Sequence, residues 1–123
     1  MASLLLYNFA QGETVQLQAL VGFLPDVRVI PVDRGSYGML LSEVLAGKAP
    51  PAVSFSRKMD RKMLVIADAK GEELPLLLSG AGQVTKGQNI LRAVVTETNR
   101  NWTGSYLYEH LLEEEAKLKS MQK

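Results

Sequence analysis

The side chains best suited to chemistry gather late in the chain, at Thr96-Glu97-Thr98-Asn99-Arg100-Asn101-Trp102-Thr103. Hydroxyls, amides, a carboxylate and a guanidinium stand together there, between an apolar run and a long helical pattern. Backbone N–H groups at a helix start, with Arg100 and amide side chains beside them, could hold an anion. Asp68 ends another apolar run, where α/β proteins often carry functional carboxylates. Asp68, Thr96, Thr98, Asn99, Arg100 and Trp102 therefore form a candidate ligand-binding set between two strand ends. The same residues also have a plainer use. Thr103 suits the N-cap of the last helix. Trp102 before it would pack on Leu107 as a hydrophobic staple. Asn99 or Asn101 suits a turn with positive φ. This capping use is preferred over ligand binding.

Other chemistry is thin. The chain has no cysteine and one histidine, which removes thiolate catalysis, disulfides and a multi-histidine metal site within one chain. No nucleophile–base pair stands out, so no catalytic residue, metal or cofactor is assigned. Gly80-Ala81-Gly82-Gln83-Val84-Thr85-Lys86-Gly87 invites a phosphate-loop reading but fits neither familiar glycine pattern, and it follows a helix. It reads as a flexible loop. Arg57, Lys58, Arg61 and Lys62 form a basic cluster, read as solvated positions guarding a strand start. His110, among Glu109, Glu113 and Glu114, reads as a surface or half-buried residue.

The elements that must position these groups follow from periodicity. Leu4 to Phe9, apolar apart from Asn8, and Met63 to Ala67 are expected as buried strands. Val27 to Val32, with Arg28 and Pro31, and Ile90 to Val95, with Arg92, are expected at sheet edges. Ala52 to Ser56 could add a short edge strand. Helices are expected over Glu13 to Leu24 (ended by Pro25-Asp26), Tyr37 to Ala46 (stopped by Gly47), Lys70 or Gly71 to Leu78, and Thr103 to Ser120. Pro75 is tolerable only in the first turn of the third. Leu107, Leu111, Leu118 and Met121 trace the apolar stripe of the last helix. Glu113–Lys117 and Glu115–Lys119 have the favourable i,i+4 order.

A chain of 123 residues with 46% hydrophobic and 22% charged residues is one ordinary globular domain. Its halves look alike, about 1–47 and 63–121, joined by an irregular 48–62. Gly12-Glu13 matches Gly71-Glu72, and Gly35-Ser36-Tyr37 matches Gly104-Ser105-Tyr106. Alternation of strand and helix points to an α/β fold: a four-stranded sheet with helices packed on it and the first and third strands central. Duplicated strand–helix–strand units in a ferredoxin-like arrangement are preferred; a small parallel, flavodoxin-like sheet is the alternative.

Arg92-Ala93-Val94-Val95-Thr96-Glu97-Thr98-Asn99-Arg100-Asn101-Trp102, followed by Leu107 and Leu111-Leu112-Glu113-Glu114-Glu115, resembles the C-terminal signature of a small bacterial domain-of-unknown-function family. Its core is Thr-x-Thr-Asn-x-x-Trp before a Leu- and Glu-rich helix, and Met63-Leu64-Val65-Ile66 resembles the start of that domain. Where that family has an aromatic-Cys-Gly ending on the strand, this chain has Ala67-Asp68-Ala69. The resemblance covers about the last half of the chain and implies a small bacterial protein without known catalytic residues.

A net charge of +1, from 14 basic and 13 acidic residues, is not that of a dedicated nucleic-acid binder. The apolar N-terminal run is too short for a signal or a membrane span, so a cytoplasmic location is expected. The expected function is a non-enzymatic binding or protein-interaction module. It would form a homodimer through the last helix or the outer sheet face, or bind an unidentified protein or small molecule. The alternative is a small-molecule or anion-binding domain, or an enzyme, with its site at the strand-end turn.

Overall fold

The most apolar runs become the two central strands of a four-stranded sheet. A computed structural model describes residues 2–22, 27–48, 59–86 and 88–121. In it β1 (Ala2–Tyr7) and β3 (Met63–Ala67) are buried along their whole length. They pair antiparallel, with Leu5 opposite Val65. A strand covered on both faces needs apolar side chains in both directions, so these runs are continuous rather than alternating. β2 (Val27–Val32) pairs parallel with β1, and β4 (Leu91–Val94) pairs parallel with β3. The order is β2-β1-β3-β4, which puts Arg28, Pro31 and Arg92 on edge strands as expected. Arg28 folds back over its edge, donating to Ser3 Oγ and Leu45 O, both at 3.2 Å.

Helices cover both faces. On one, Leu17 and Val21 of α1 (Gln11–Val21) and Leu77 and Ala81 of α3 (Glu73–Val84) pack with Leu4, Leu6, Leu64 and Ile66. On the other, Leu41 and Val44 of α2 (Leu41–Leu45) and Leu107 and Tyr108 of α4 (Gly104–Met121) pack with Leu5, Tyr7, Met63 and Val65. Among the described residues, both faces of the sheet thus carry packed helices.

The α/β class and the central strands hold, and the pairing shares something with each arrangement weighed from sequence. Two strand–helix–strand units meet at an antiparallel pair, so the sheet is not wholly parallel. Each unit keeps its own two strands adjacent rather than splitting them.

Several boundaries move, each for a local reason. α3 runs on through Gly80 and Gly82 to Val84, so the expected glycine loop is mostly helix. Ala81, fully buried between the glycines, anchors that extension against the sheet, so the flexible loop expected there is helix as far as Val84. Helix α2 starts at Leu41 rather than Tyr37, after a 3-10 turn at Arg34–Ser36, because the Leu40 N–H donates to Glu43 Oε1 at 2.9 Å. Gly47 does stop it, at φ 76°, with Lys48 N donating to Glu43 O at 3.1 Å. α1 starts earlier, at Gln11, and Leu20 lies on its exposed side. The expected strand at 52–56, the stop at Pro25-Asp26, and Arg57 and Lys58 fall outside the described residues.

Strand, helix, strand, 3-10 turn, helix occurs twice along the chain. Asn8 (φ 68°) and Asp68 (φ 59°) both leave a central strand in the left-handed region. Ala10 N then donates to Glu13 Oε1, and Lys70 N to Glu73 Oε1, each at 2.9 Å. These pairs share one offset, which aligns Glu13 with Glu73 rather than with Glu72. Leu40 and Thr103, just before α2 and α4, meet in an isolated antiparallel bridge. The matched Gly35-Ser36-Tyr37 and Gly104-Ser105-Tyr106 are not equivalent, since the first begins in the 3-10 turn and the second begins α4.

Candidate functional site

Asn99 organises the strand-end turn. Val95 N still bonds to Ile66 O at 2.8 Å, and there the sheet ends. The chain then turns, and the buried Asn99 amide closes the turn. Its Oδ1 accepts from Thr96 N at 2.8 Å and its Nδ2 donates to Val94 O at 3.0 Å. Asn99 N donates to Thr96 Oγ1 at 3.1 Å, and Arg100 N to Thr96 O at 3.1 Å. A 3-10 turn at Asn99–Asn101 leads to Trp102.

The segment after it is laced to the first half of the chain. Leu41 N donates to Trp102 O at 2.9 Å, Gly104 N to Met39 O at 3.3 Å, and Ser105 N to Tyr37 O at 3.0 Å. Thr103 is the N-cap, its Oγ1 accepting from Tyr106 N at 3.0 Å and its carbonyl from Leu107 N at 3.0 Å. The leading N–H groups of α4 thus already have acceptors, so an anion at this helix start would have to displace them.

Thr96, Thr98, Asn99 and Arg100 are brought together in one turn, with Thr98 and Arg100 exposed. Asp68 leaves the sheet at the same end, where β3 runs beside β4, and is exposed. No hydrogen bond or ion pair joins Asp68 to the turn among the described residues.

Trp102 faces the other way, toward α4. Its ring lies edge-on to Tyr106, with centroids 4.8 Å apart, and to His110, at 5.0 Å. Tyr106 and His110, one turn apart, are nearly parallel at 6.4 Å. The tryptophan packs on the cluster containing Leu107, but its ring partners are Tyr106 and His110 rather than the expected staple residue alone. His110 Nε2 also pairs with Glu114 Oε1 at 2.9 Å. A depression of about 90 Å³ lies beside these rings, lined by Tyr106, Glu109, His110 and Glu113. One turn further on, Glu114, Lys117 and Leu118 line another of about 260 Å³. Sequence reasoning missed the aromatic array, although the i,i+4 spacing of Tyr106 and His110 could have revealed it.

Two ionic networks tie the entry of β3 to its surroundings. Arg61 pairs with Glu115 at 2.9 Å and donates to Asn89 Oδ1 at 2.9 Å. Lys62 pairs with Glu13 at 2.7 Å and also meets Gln88 Oε1. Half of the basic cluster therefore has fixed acidic partners rather than standing free in solvent. Burial pushes the Glu13 carboxyl up, but hydrogen bonds from Lys62, Ala10 N–H and Gln88 together hold it below the usual carboxylate range. A carboxyl lowered by folding contributes stability that is full above its unfolded pKa and is lost as pH falls through its folded pKa. Acid titration of the unfolding free energy should show this loss below the ordinary glutamate range, and Lys62→Met should shrink it. An unchanged acid limb in Lys62→Met would show that the pair contributes nothing.

No helix among the described residues is long and apolar enough to cross a membrane. No curated protein and no solved structure matches the chain. Residues 62–118, from the entry of β3 into α4 and somewhat less than half of the chain, match the family model of a domain of unknown function, DUF3783, so the similarity falls on the half that holds the turn, the aromatic array and the last helix.

Proposed function

We propose that this is a non-enzymatic interaction module of the bacterial cytoplasm that self-associates through α4. The observation that carries this reading is the outer end of the helix. Leu107 and Tyr108 are buried on the sheet, yet Leu118, on the same apolar stripe, is 59% exposed. A long apolar side chain continuing a core-facing stripe into solvent marks a surface that another chain can cover. The strand-end turn supports the same reading, since its buried amide and helix-start N–H groups are used within the fold.

Leu118→Glu should therefore reduce the concentration-dependent mass of the protein in sedimentation velocity while leaving its melting curve nearly unchanged. An unaltered mass would remove α4 as the contact.

A further inference from the structure

We propose that the outer face of α4 pairs antiparallel with α4 of a second copy, seating the partner's Lys117 in the depression lined by Tyr106, Glu109, His110 and Glu113. This rests on the self-association proposed above and names the face and the contact.

Tyr106, His110, Glu113 and Lys117 follow one another at spacings of four, three and four, which places them on a single stripe of the helix. That stripe lies away from the buried Leu107 and Tyr108, and Tyr106 on it is 53% exposed. Its chemistry changes along its length: two aromatic rings and a carboxylate come first, then a lysine beside Leu118. Two helices packed antiparallel about a twofold axis bring the first part of each against the second part of the other, and each contact is made twice. A lysine stem lies well along an aromatic surface, and its ammonium is attracted to the ring face and to a carboxylate. The depression of about 90 Å³ is well below the roughly 300–1,000 Å³ of a small-molecule pocket, so it suits one side-chain head rather than a free metabolite.

The ion pairs within the chain point to the same two residues. On this part of α4, Glu115 pairs with both Arg61 and Lys119, and His110 Nε2 lies 2.9 Å from Glu114 Oε1. Glu113 and Lys117, expected from sequence to pair with each other, have no ion-pair partner among the described residues. A charge of each sign is thus available on the proposed face, at positions that meet in the antiparallel pair.

Sedimentation equilibrium of the wild type, Lys117→Glu, Glu113→Lys and the double swap tests the contact, with Leu118→Glu alongside. Each single reversal should weaken the dimer by about tenfold or more, because it places like charges together. The double swap should restore it. Singles that leave the dimer intact, or a double swap that fails to restore it, would overturn this contact, whereas dissociation by Leu118→Glu would still uphold α4 as the interface. A wild type that stays monomeric at every concentration would overturn both readings. Far-ultraviolet circular dichroism of the exposed variants checks that loss of mass is not loss of fold.

Discussion

Gly104→Ala should lower the stability of this protein by about 2–3 kcal/mol, as an overpacking substitution in a closed site. Gly104 opens α4 directly against Tyr7, and a Cβ there would lie 2.8 Å from Cζ and 2.9 Å from Oη of that ring. Tyr7 cannot step aside. It is completely buried, packs against Tyr37 with centroids 5.6 Å apart, and belongs to β1. Burial, reinforced by the neighbouring Tyr37 phenol, pushes the Tyr7 hydroxyl up in pKa, and its oxygen has no hydrogen-bond partner among the described residues. Alanine is the better helix former by roughly 0.5–1 kcal/mol, which offsets the clash only in part. The melting midpoint should fall by roughly 10 °C for a chain of this size. Tyr7→Leu combined with Gly104→Ala should recover part of the loss in a double-mutant cycle. A Gly104→Ala protein as stable as the wild type in urea would mean that α4 moves away from the sheet at little cost.

Asn99→Ala should cost a similar amount, about 2–3 kcal/mol. The amide satisfies Thr96 N–H and Val94 C=O at once, and its removal leaves both without their partner in a part-buried turn. Asn99→Asp keeps the acceptor for Thr96 N but sets an oxygen against Val94 O, so it should recover only part of the loss. Thermal melts of the three proteins check the order wild type, then Asp, then Ala. The same melts, run with nucleotides, sugar phosphates and small carboxylates, separate structure from binding. A ligand at about 100 times its Kd adds about 2.7 kcal/mol. A shift in the wild type that vanishes in Asn99→Ala would restore the turn as a ligand site and displace the interaction reading. Asn99→Ala that simply melts lower, with no ligand response in the wild type, leaves the turn as the device that sets α4.

Much of the frame was legible because it depends on local patterns. Apolar runs at 4–7 and 63–67 announced strands covered on both faces, and Arg28, Pro31 and Arg92 announced edges. Thr103 read as a cap and is one, and Pro75 sits in the first turn of α3 as its ring requires. Glycine misled at 80 and 82, because helix propensity is a weak local cost of roughly 1 kcal/mol per glycine. Burying Leu77 and Ala81 against the sheet outweighs it. The ligand set was legible only as a list of polar residues. Which of them is committed to the backbone depends on where the acceptors and donors lie.

By itself, the sequence determined the α/β class, the two central and two edge strands, and the position of α4, since each follows from periodicity and residue type within a short window. Tertiary structure alone decided the rest. It set the antiparallel meeting of β1 and β3 and the lacing of 37–41 to 102–105. It closed the Asn99 amide on its own turn and left Glu113, Lys117 and Leu118 on the outside of a long helix. Those outcomes depend on contacts between segments far apart in the chain, and a side chain's type does not state which distant partner will reach it.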